Sequence, residues 1–500
     1  MRLRELVGAI APLRVTGDAE TEVAGLRHDS RAVRPGDLFF ALPGAATNGN
    51  RFIKAACERG TRVIVSELEA PPPPAVLPAA WVQVDDAVEA MGRLADRFFG
   101  HPSGALTVIG VTGTNGKTTT TYFLEAIVAA SGGKPGVVGT VDYRLEGKVL
   151  SKAPNTTPVS LELQRLLAAF RDGGATHACM EVSSHALALK RVEQVDFDAA
   201  VFTNLASDHL DFHKTADEYL AAKMRLFELL NKASTSKRRR VAAINADDER
   251  RAAVQRAAAG AEIVLFGLSD EATFRATDLE PTLTGTNFTI QWKGKKHKAG
   301  INLVGEHNVY NAMAAAAAAA GLGVDFQGIV NGLGELTHVP GRLEPVDEGQ
   351  PFTVLVDFAH TAAALETVLK YLRRLPCERI VSIFGCGGDR DRTKRGPMGL
   401  AACRYSDLAI VTSDNPRGED PLAIIGDVED ALKTAGLKNY KIQPDREAAI
   451  EEALGAARPG DIVLIAGKGH EAYQLVKGRE LPFDDRVVAA AALRKLAKRT

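Results

Sequence analysis

From position 105 onward, short apolar runs alternate with stretches of helical pattern. The runs at 105–111, 177–182, 199–204, 240–245 and 262–266 carry few polar side chains, which predicts strands buried on both faces of a parallel sheet. A more polar, alternating patch follows at 288–292, and then a helix over about 307–320. A second series of apolar runs, at 352–357, 379–384, 407–412 and 461–466, is again separated by helical stretches. It predicts a second doubly wound sheet of the dinucleotide-fold type, without a dinucleotide fingerprint. Within 70–80, four consecutive prolines exclude a helix or an interior strand. That segment belongs to a loop of an N-terminal unit ending near His101-Pro102-Ser103-Gly104, and 332–342, with Pro340-Gly341, reads as a second boundary. The expectation is a three-domain α/β chain, divided as 1–103, 104–337 and 338–500.

Bulk composition narrows the function classes. The chain has 500 residues, 45% hydrophobic and 25% charged, with a net charge of −1; that is ample material for more than one core. Neither a nucleic-acid footprint nor an acidic tail is visible, and the basic cluster 237–240 reads as a solvated loop. Residues 1–13 lack the features of a leader, and the alanine run at 314–320 falls short of the roughly 20 apolar residues of a membrane span. Five cysteines (57, 179, 377, 386 and 403) show no metal spacing, and their odd number predicts reduced thiols in the cytoplasm. Cys386, in a glycine-rich segment, reads as a small packing residue rather than a nucleophile.

The chemistry begins at 110–119, Gly-Val-Thr-Gly-Thr-Asn-Gly-Lys-Thr-Thr, between a predicted strand and a helical stretch over 117–130. Gly113 and Gly116 let backbone amides of Thr114, Asn115 and Thr119 turn inward on an anion. Lys117 adds a point charge, and the Thr118 hydroxyl is placed to meet Mg²⁺. The loop is a P-loop variant, because the strict pattern wants glycine where this chain has Val111. Nucleotide triphosphate binding follows. Glu181, ending another predicted strand, suits a Mg²⁺ that keeps waters and takes phosphate oxygens; it reads equally well as a cap of the next turn. Residues 203–213 then gather two histidines and two aspartates, where His209 is a metal candidate and Ser207 and Asp208 are helix caps.

The order of these motifs resembles the Mur ligase family over nearly the whole chain. The matching pieces are Asp29-Ser30-Arg31 with Pro35-Gly36-Asp37-Leu38-Phe39, the P-loop, Asn155-Thr156-Thr157-Pro158, residues 181–185 and 204–209, and Gly305-Glu306-His307-Asn308. They continue through Gly341-Arg342-Leu343-Glu344, Asp357-Phe358-Ala359-His360-Thr361, Asp414-Asn415-Pro416-Arg417 and Gly467-Lys468-Gly469-His470-Glu471. The resemblance implies a small N-terminal UDP-binding α/β unit, a central P-loop ATPase-type sheet and a C-terminal Rossmann-like sheet. It implies ATP-driven ligation: a substrate carboxylate takes the γ-phosphate, and an amine converts the acyl phosphate to an amide. By the same resemblance the acceptor is UDP-MurNAc-L-Ala-D-Glu, the incoming amino acid is meso-diaminopimelate, and the enzyme is a cytoplasmic monomer of peptidoglycan synthesis with no nucleic-acid partner and no membrane insertion.

Site residues follow by resemblance. Lys117, Glu181, His209, Lys223 and Arg342 are the catalytic set. Thr118, Glu181, His209 and a carbamylated Lys223 hold metal, although Lys223 alone reads as a solvated helix lysine. His307, Asn308, Asn311, Arg342 and Asp357 join the P-loop in binding ATP. The UDP-linked dipeptide falls to His28, Ser30, the 44–48 loop, Asn155, Thr156, Thr157, Ser183 and Arg191. Diaminopimelate falls to Arg390, Asp414, Asn415, Pro416, Arg417, Gly467 and Glu471. An arginine at 417 suits the distal carboxylate that lysine lacks, with Glu471 for the distal ammonium. Leu189 and Ala362-Ala363 depart from the family pattern, in which a polar residue and Pro-Asp are commoner. Rival readings are the lysine-adding ligase of the same family, a folylpolyglutamate synthase-like ligase and a nucleotide-hydrolysing switch.

Overall fold

The computed structural model describes residues 1–44, 48–69, 78–206, 208, 210–231, 239–282 and 284–497, apart from the side chains of 210 and 211. By backbone contact it forms two compact units. The first comprises Met1–Thr277, Thr289–His297 and Tyr310–Leu333; the second comprises Asp278–Phe288, Lys298–Val309 and the chain from Gly334 on.

Within the first unit, an N-terminal sheet orders its strands as Arg14–Gly17, Ala80–Gln83, Val63–Ser66, Asp37–Phe40 and Gly25–Arg27. All pairs are parallel except the one at Arg14–Gly17. The central sheet runs Glu262–Gly267, Val241–Asn245, Ala199–Phe202, Thr107–Thr112, His177–Glu181 and Pro135–Val138 in parallel, as the apolar runs predict. An antiparallel extension, Asp142–Leu145 and Lys148–Lys152, continues one edge, and at the other Phe274 and Arg275 pair in parallel with Phe266 and Gly267. Space at the middle of this sheet is set by Gly110. A Cβ there would lie 2.7 Å from the Phe197 ring and 3.1 Å from Leu226 Cδ1, and both of these side chains are fully buried.

The helix Glu306–Leu322 begins and ends close to its expected limits. From Ala312 to Ala319 its residues are at most 2% exposed, the signature of a helix covered on all sides. Among the described residues no helix is long and apolar enough to cross a membrane.

The second unit carries the sheet ordered Glu344–Pro345, Thr353–Asp357, Ile462–Ala466, Ile380–Cys386, Leu408–Ser413 and Tyr440–Ile442. Its strands are apolar on both faces because each face has its own core. Leu355, Phe384, Val411 and Leu464 pack on one side, and Val354, Val356, Ile383, Ile410 and Val463 on the other. Ala362 opens the helix Ala362–Leu372, capped by Thr361, so the Ala-Ala departure is absorbed as a helix start. Cys386 packs against Met398, Sγ to Sδ 3.7 Å, and all five cysteines are free thiols.

The basic cluster differs from expectation. Residues 237 and 238 lie outside the described set, but Arg240 bonds Phe197 O at 2.6 Å and pairs with Asp196 at 3.0 Å, while Arg239 bonds Gly321 O at 3.1 Å. Arg240 ties the strand entry to its neighbours, while Arg239 bonds the backbone and stays exposed.

Gly110→Ala drives a methyl into the Phe197 ring. It is expected to cost about 1–3 kcal/mol, read as a lower denaturant midpoint for the transition of the first unit; an unchanged midpoint refutes the packing account.

Candidate active site

Strand register places the carboxylate at the phosphate loop. In the parallel pair Thr107–Thr112 with His177–Glu181, Val111 sits opposite Glu181, so Glu181 reaches the sheet's C-terminal edge where the loop begins. On the other side Thr112 pairs with Phe202, which delivers Thr203 and Asn204 to the same edge. Crevices outside the carboxyl ends of parallel strands are where such sheets bind ligands.

The loop needs its glycines. Gly113 and Gly116 hold φ of 150° and 87°, and added methyls would collide with Thr203 Oγ1 and Asn311 Oδ1 respectively. Asn115 N donates to Asn204 Oδ1 at 3.0 Å, Thr203 Oγ1 donates to Asn115 O at 2.6 Å, and Thr114 N donates to Asn204 O at 2.9 Å. The 203–204 segment therefore holds the loop open, a role that sequence reasoning missed. After Gly116 the helix Lys117–Ala130 starts, spanning the residues expected.

Glu181 is 1% exposed. It accepts Thr118 Oγ1 at 3.0 Å, Thr140 N at 2.7 Å and Thr140 Oγ1 at 3.0 Å. It makes no ion pair among the described residues, so its charge rests on neutral donors alone. A carboxylate so placed beside a hydroxyl fits the oxygen ligand set of Mg²⁺ with phosphate and water completing the shell. No group of three or more His, Cys, Asp or Glu side chains suited to a metal occurs among the described residues, so the protein alone offers a partial shell. His209 lies outside the described residues.

Lys223 overturns its solvated reading. The helix Ala216–Leu230, capped by Thr215, turns Tyr219 and Lys223 toward the loop from positions i and i+4. Lys223 is 1% exposed, lies 4.3 Å from the Tyr219 ring centre, and donates to Gly113 O at 2.9 Å. Lys117 Nζ donates to the same carbonyl at 2.9 Å and to Thr114 O at 3.0 Å. Burial first, and then the Lys117 charge, push the Lys223 amine well below its ordinary pKa, against a weaker pull from Asp208.

Four of the residues expected to meet the dipeptide gather behind Glu181. Thr157 Oγ1 donates to Glu181 O at 2.9 Å, Ser183 N donates to Thr157 Oγ1 at 3.1 Å, Arg191 donates to Thr157 O at 2.8 Å, and Thr140 and Thr156 hydroxyls lie 3.1 Å apart. Asn155 accepts Tyr143 OH at 2.6 Å. Leu189 is 43% exposed and ends the Ser184–Ala188 helix. His28 and Ser30 stand apart on the N-terminal sheet's loop; His28 is 4.0 Å from Glu162, and burial lowers its pKa. Residues 45–47 of the expected sugar-contacting loop lie outside the described set.

The second unit holds the remaining candidates. Arg342 lies 4.9 Å over the Phe358 ring. Asp357 is 6% exposed and accepts Leu343 N and Ala359 N at 2.8 Å each; burial raises its pKa, and Arg342 opposes. Burial and the Arg342 charge lower His307 to about 4, and Asn308 Nδ2 donates to Val304 O at 2.8 Å. Asn311 belongs to the first unit, beside Gly116.

Asp414, Asn415, Pro416 and Arg417 form a turn clamped by the hairpin of Tyr473–Val476 and Arg479–Pro482. Arg417 N donates to Leu475 O at 2.8 Å, Gln474 Nε2 donates to Asp414 O at 2.7 Å, and Leu475 N donates to Asn415 Oδ1 at 2.9 Å. Arg417 sits at φ 53° with its guanidinium on Gly388 O at 2.9 Å. Asn415 Nδ2 donates to Glu471 Oε2 at 2.8 Å. Gly467, at φ 114°, leaves room for Asp414: a methyl there would come 2.7 Å from Asp414 Oδ2. Arg390 is exposed nearby. Sequence reasoning missed the hairpin, because neither of its short strands has an apolar face to announce it.

Three family models match in the order of the units: Mur ligase family, catalytic domain over residues 22–99; Mur ligase middle domain over 111–319; and Mur ligase, glutamate ligase domain over 341–469. The UDP-N-acetylmuramoyl-L-alanyl-D-glutamate--2,6-diaminopimelate ligase of Solibacter usitatus is 45% identical over 95% of this chain and 94% of its own length. The ligase of the same name from Geobacter metallireducens is 44% identical over 100% and 99%. A solved structure of a ligase so named covers 99% of both chains at 32% identity with a TM-score of 0.69. With its P-loop, its buried carboxylate and lysine, and its clamped Asp-Asn-Pro-Arg turn, the chain belongs to the Mur ligase family of ATP-dependent amino-acid ligases.

Proposed function

We propose that the protein joins meso-diaminopimelate to UDP-MurNAc-L-Ala-D-Glu in peptidoglycan precursor synthesis, in the cytoplasm, with release of ADP and phosphate. The observation that carries this reading is the Asp414–Arg417 turn, where a guanidinium and a carboxylate, Arg417 and Glu471, both bond Asn415. An amino acid whose far end bears a carboxylate and an ammonium finds a guanidinium for the one and a carboxylate oxygen for the other there. A lysine offers no carboxylate to Arg417, and a folate acceptor has no use for the 22–99 segment matched by the family model.

ATP lies with its phosphates on the amides of 113–119. Lys117, now spent on Gly113 O and Thr114 O, turns its ammonium to the terminal phosphates, and Arg342 supplies a second fixed cation. Asp357 holds the ribose, and His307, Asn308 and Asn311 meet the base. Thr118 and Glu181 would hold Mg²⁺, which would supply neutralisation of the phosphate charge. His28 and Ser30 take the UDP end, and Asn155, Thr156, Thr157, Ser183 and Arg191 take the peptide. Arg390, Asp414, Pro416 and Gly467 complete the wall around the incoming amino acid.

Lys223 would enter as a carbamate and, with His209, would hold a second metal ion. Only a neutral amine attacks CO₂, and burial beside the Lys117 charge favours that form of Lys223. The new anion then faces the Lys117 ammonium, so repulsion becomes attraction. A ¹³C-bicarbonate label is expected to give a carbamate resonance absent from Lys223→Met and lost on acidification, as released amine is trapped by protonation. Lys223→Ala is expected to lower kcat/KM about 100-fold or more; full activity in that variant removes the carbamate from the mechanism.

ATP consumption with the UDP-linked dipeptide is expected to require diaminopimelate and to proceed poorly with lysine. Turnover that ignores both amino acids would instead favour a hydrolytic switch. Arg417→Ala is expected to raise KM for diaminopimelate about 10- to 100-fold, the worth of a charge-assisted bidentate contact, and to leave KM for ATP nearly unchanged. Equal shifts for both substrates refute the assignment.

A further inference from the structure

Lys468 follows the Ile462–Ala466 strand, and none of its side chain is exposed. A buried ammonium is costly unless paired and hydrogen-bonded, so its partners define its use. Its Nζ lies 3.3 Å from Glu471 Oε2, 3.3 Å from Asn415 Oδ1 and 5.5 Å from the Tyr473 ring centre. Asn415 Oδ1 also accepts Leu475 N at 2.9 Å, which fixes the amide so that Nδ2 faces Glu471 Oε2 at 2.8 Å. Lysine, asparagine and glutamate thus close a ring. One carboxylate oxygen of Glu471 is held twice, while Oε1 has no protein donor among the described residues, on a side chain 20% exposed.

We propose that Lys468 is a positioning residue that sets amino-acid specificity by locking Glu471 and halving what its carboxylate can offer. The inference rests on the reading of Glu471 as the contact for the distal ammonium of diaminopimelate. Paired with Lys468, Glu471 presents one oxygen from a group without net charge. The distal end of diaminopimelate, an ammonium and a carboxylate together, is also without net charge, and its carboxylate has Arg417 to meet. The side chain of lysine brings an uncompensated positive charge, which a bare carboxylate would attract and the Lys468–Glu471 pair does not. Lys468 therefore acts against the wrong amino acid as much as for the right one.

Steady-state kinetics with diaminopimelate and with lysine test this. Lys468→Met is expected to raise KM for diaminopimelate about 10-fold or more and to leave KM for ATP within about twofold. The ratio of kcat/KM for diaminopimelate over lysine is expected to fall about 10-fold, and Lys468→Arg to recover it in large part. In a Glu471→Gln background, Lys468→Met is expected to move the ratio by less than about twofold, since the pair acts as a unit. Equal losses with both amino acids, or independent effects of the two changes, overturn the proposal. If Lys468→Met does not fold, Lys468→Gln carries the same test, and failure of both to fold makes Lys468 a core residue and overturns it too. Wild-type enzyme that uses neither amino acid sinks the underlying assignment; wild-type discrimination that survives in Lys468→Met sinks only this one.

Discussion

Two lysine nitrogens converge on one backbone oxygen, Gly113 O, each at 2.9 Å. That carbonyl belongs to the phosphate loop, so the arrangement sets the electrostatics of the first unit's site before any ligand arrives. Two ammonium groups that share one acceptor repel in a buried setting, and burial together with the Lys117 charge pushes the Lys223 amine well below its ordinary pKa. Lys117 is part-buried and also bonds Thr114 O, while Lys223 is almost wholly buried. The loop's shape, the helix Ala216–Leu230 that carries Lys223, and the buried Glu181 beside Thr118 all serve to hold this pair of unlike lysines in place.

The two units solve the same problem of charge burial in different ways. In the first, Glu181 is surrounded by hydroxyls and an amide, which stabilise a carboxylate without cancelling it and so leave it able to attract a cation. In the second, the charge beneath the Asp414–Arg417 turn comes already paired. Arg446 and Asp485, both almost wholly buried, bond at 2.7 and 2.8 Å, and the same guanidinium reaches Ser413 O and Ala466 O, the ends of the two strands that lead into Asp414 and Gly467. Breaking such a pair by removing one partner leaves an uncompensated charge in the core, at about 3–5 kcal/mol. The Asp414–Arg417 turn is thus anchored by a charge pair and by a hairpin.

Much of the architecture was legible because the strands of parallel sheets are apolar on both faces, and the runs at 177–182, 262–266 and 461–466 announce themselves without reference to neighbours. The phosphate loop was legible for a different reason: glycines at positive φ beside a lysine are a local requirement. What escaped was non-local. Thr140 approaches Glu181 only because an antiparallel edge strand follows the Pro135–Val138 strand, and Asn204 grips the loop from another strand's end. Lys223 was hidden because a helix lysine carries no mark of the face it occupies; its burial is decided by a loop 110 residues away. The same holds for Lys468, whose partners lie on a turn and a hairpin that sequence pattern does not join.

The alanine-rich helix has a consequence for how Asn311 meets the phosphate loop. Alanine has no rotamers to lose, so the stretch from Ala314 to Ala319 docks with no side-chain entropy cost and no freedom to repack. Gly321, whose added methyl would press on Val241 at 2.5 Å, brings the backbone hard against the sheet at the far end. Such a helix behaves as a ruler, with its length fixed by rise per residue and its seat by backbone contact. The reach of Asn311 toward Gly116 is therefore metered by the main chain, and lengthening one alanine by a single methylene would shift the scale itself.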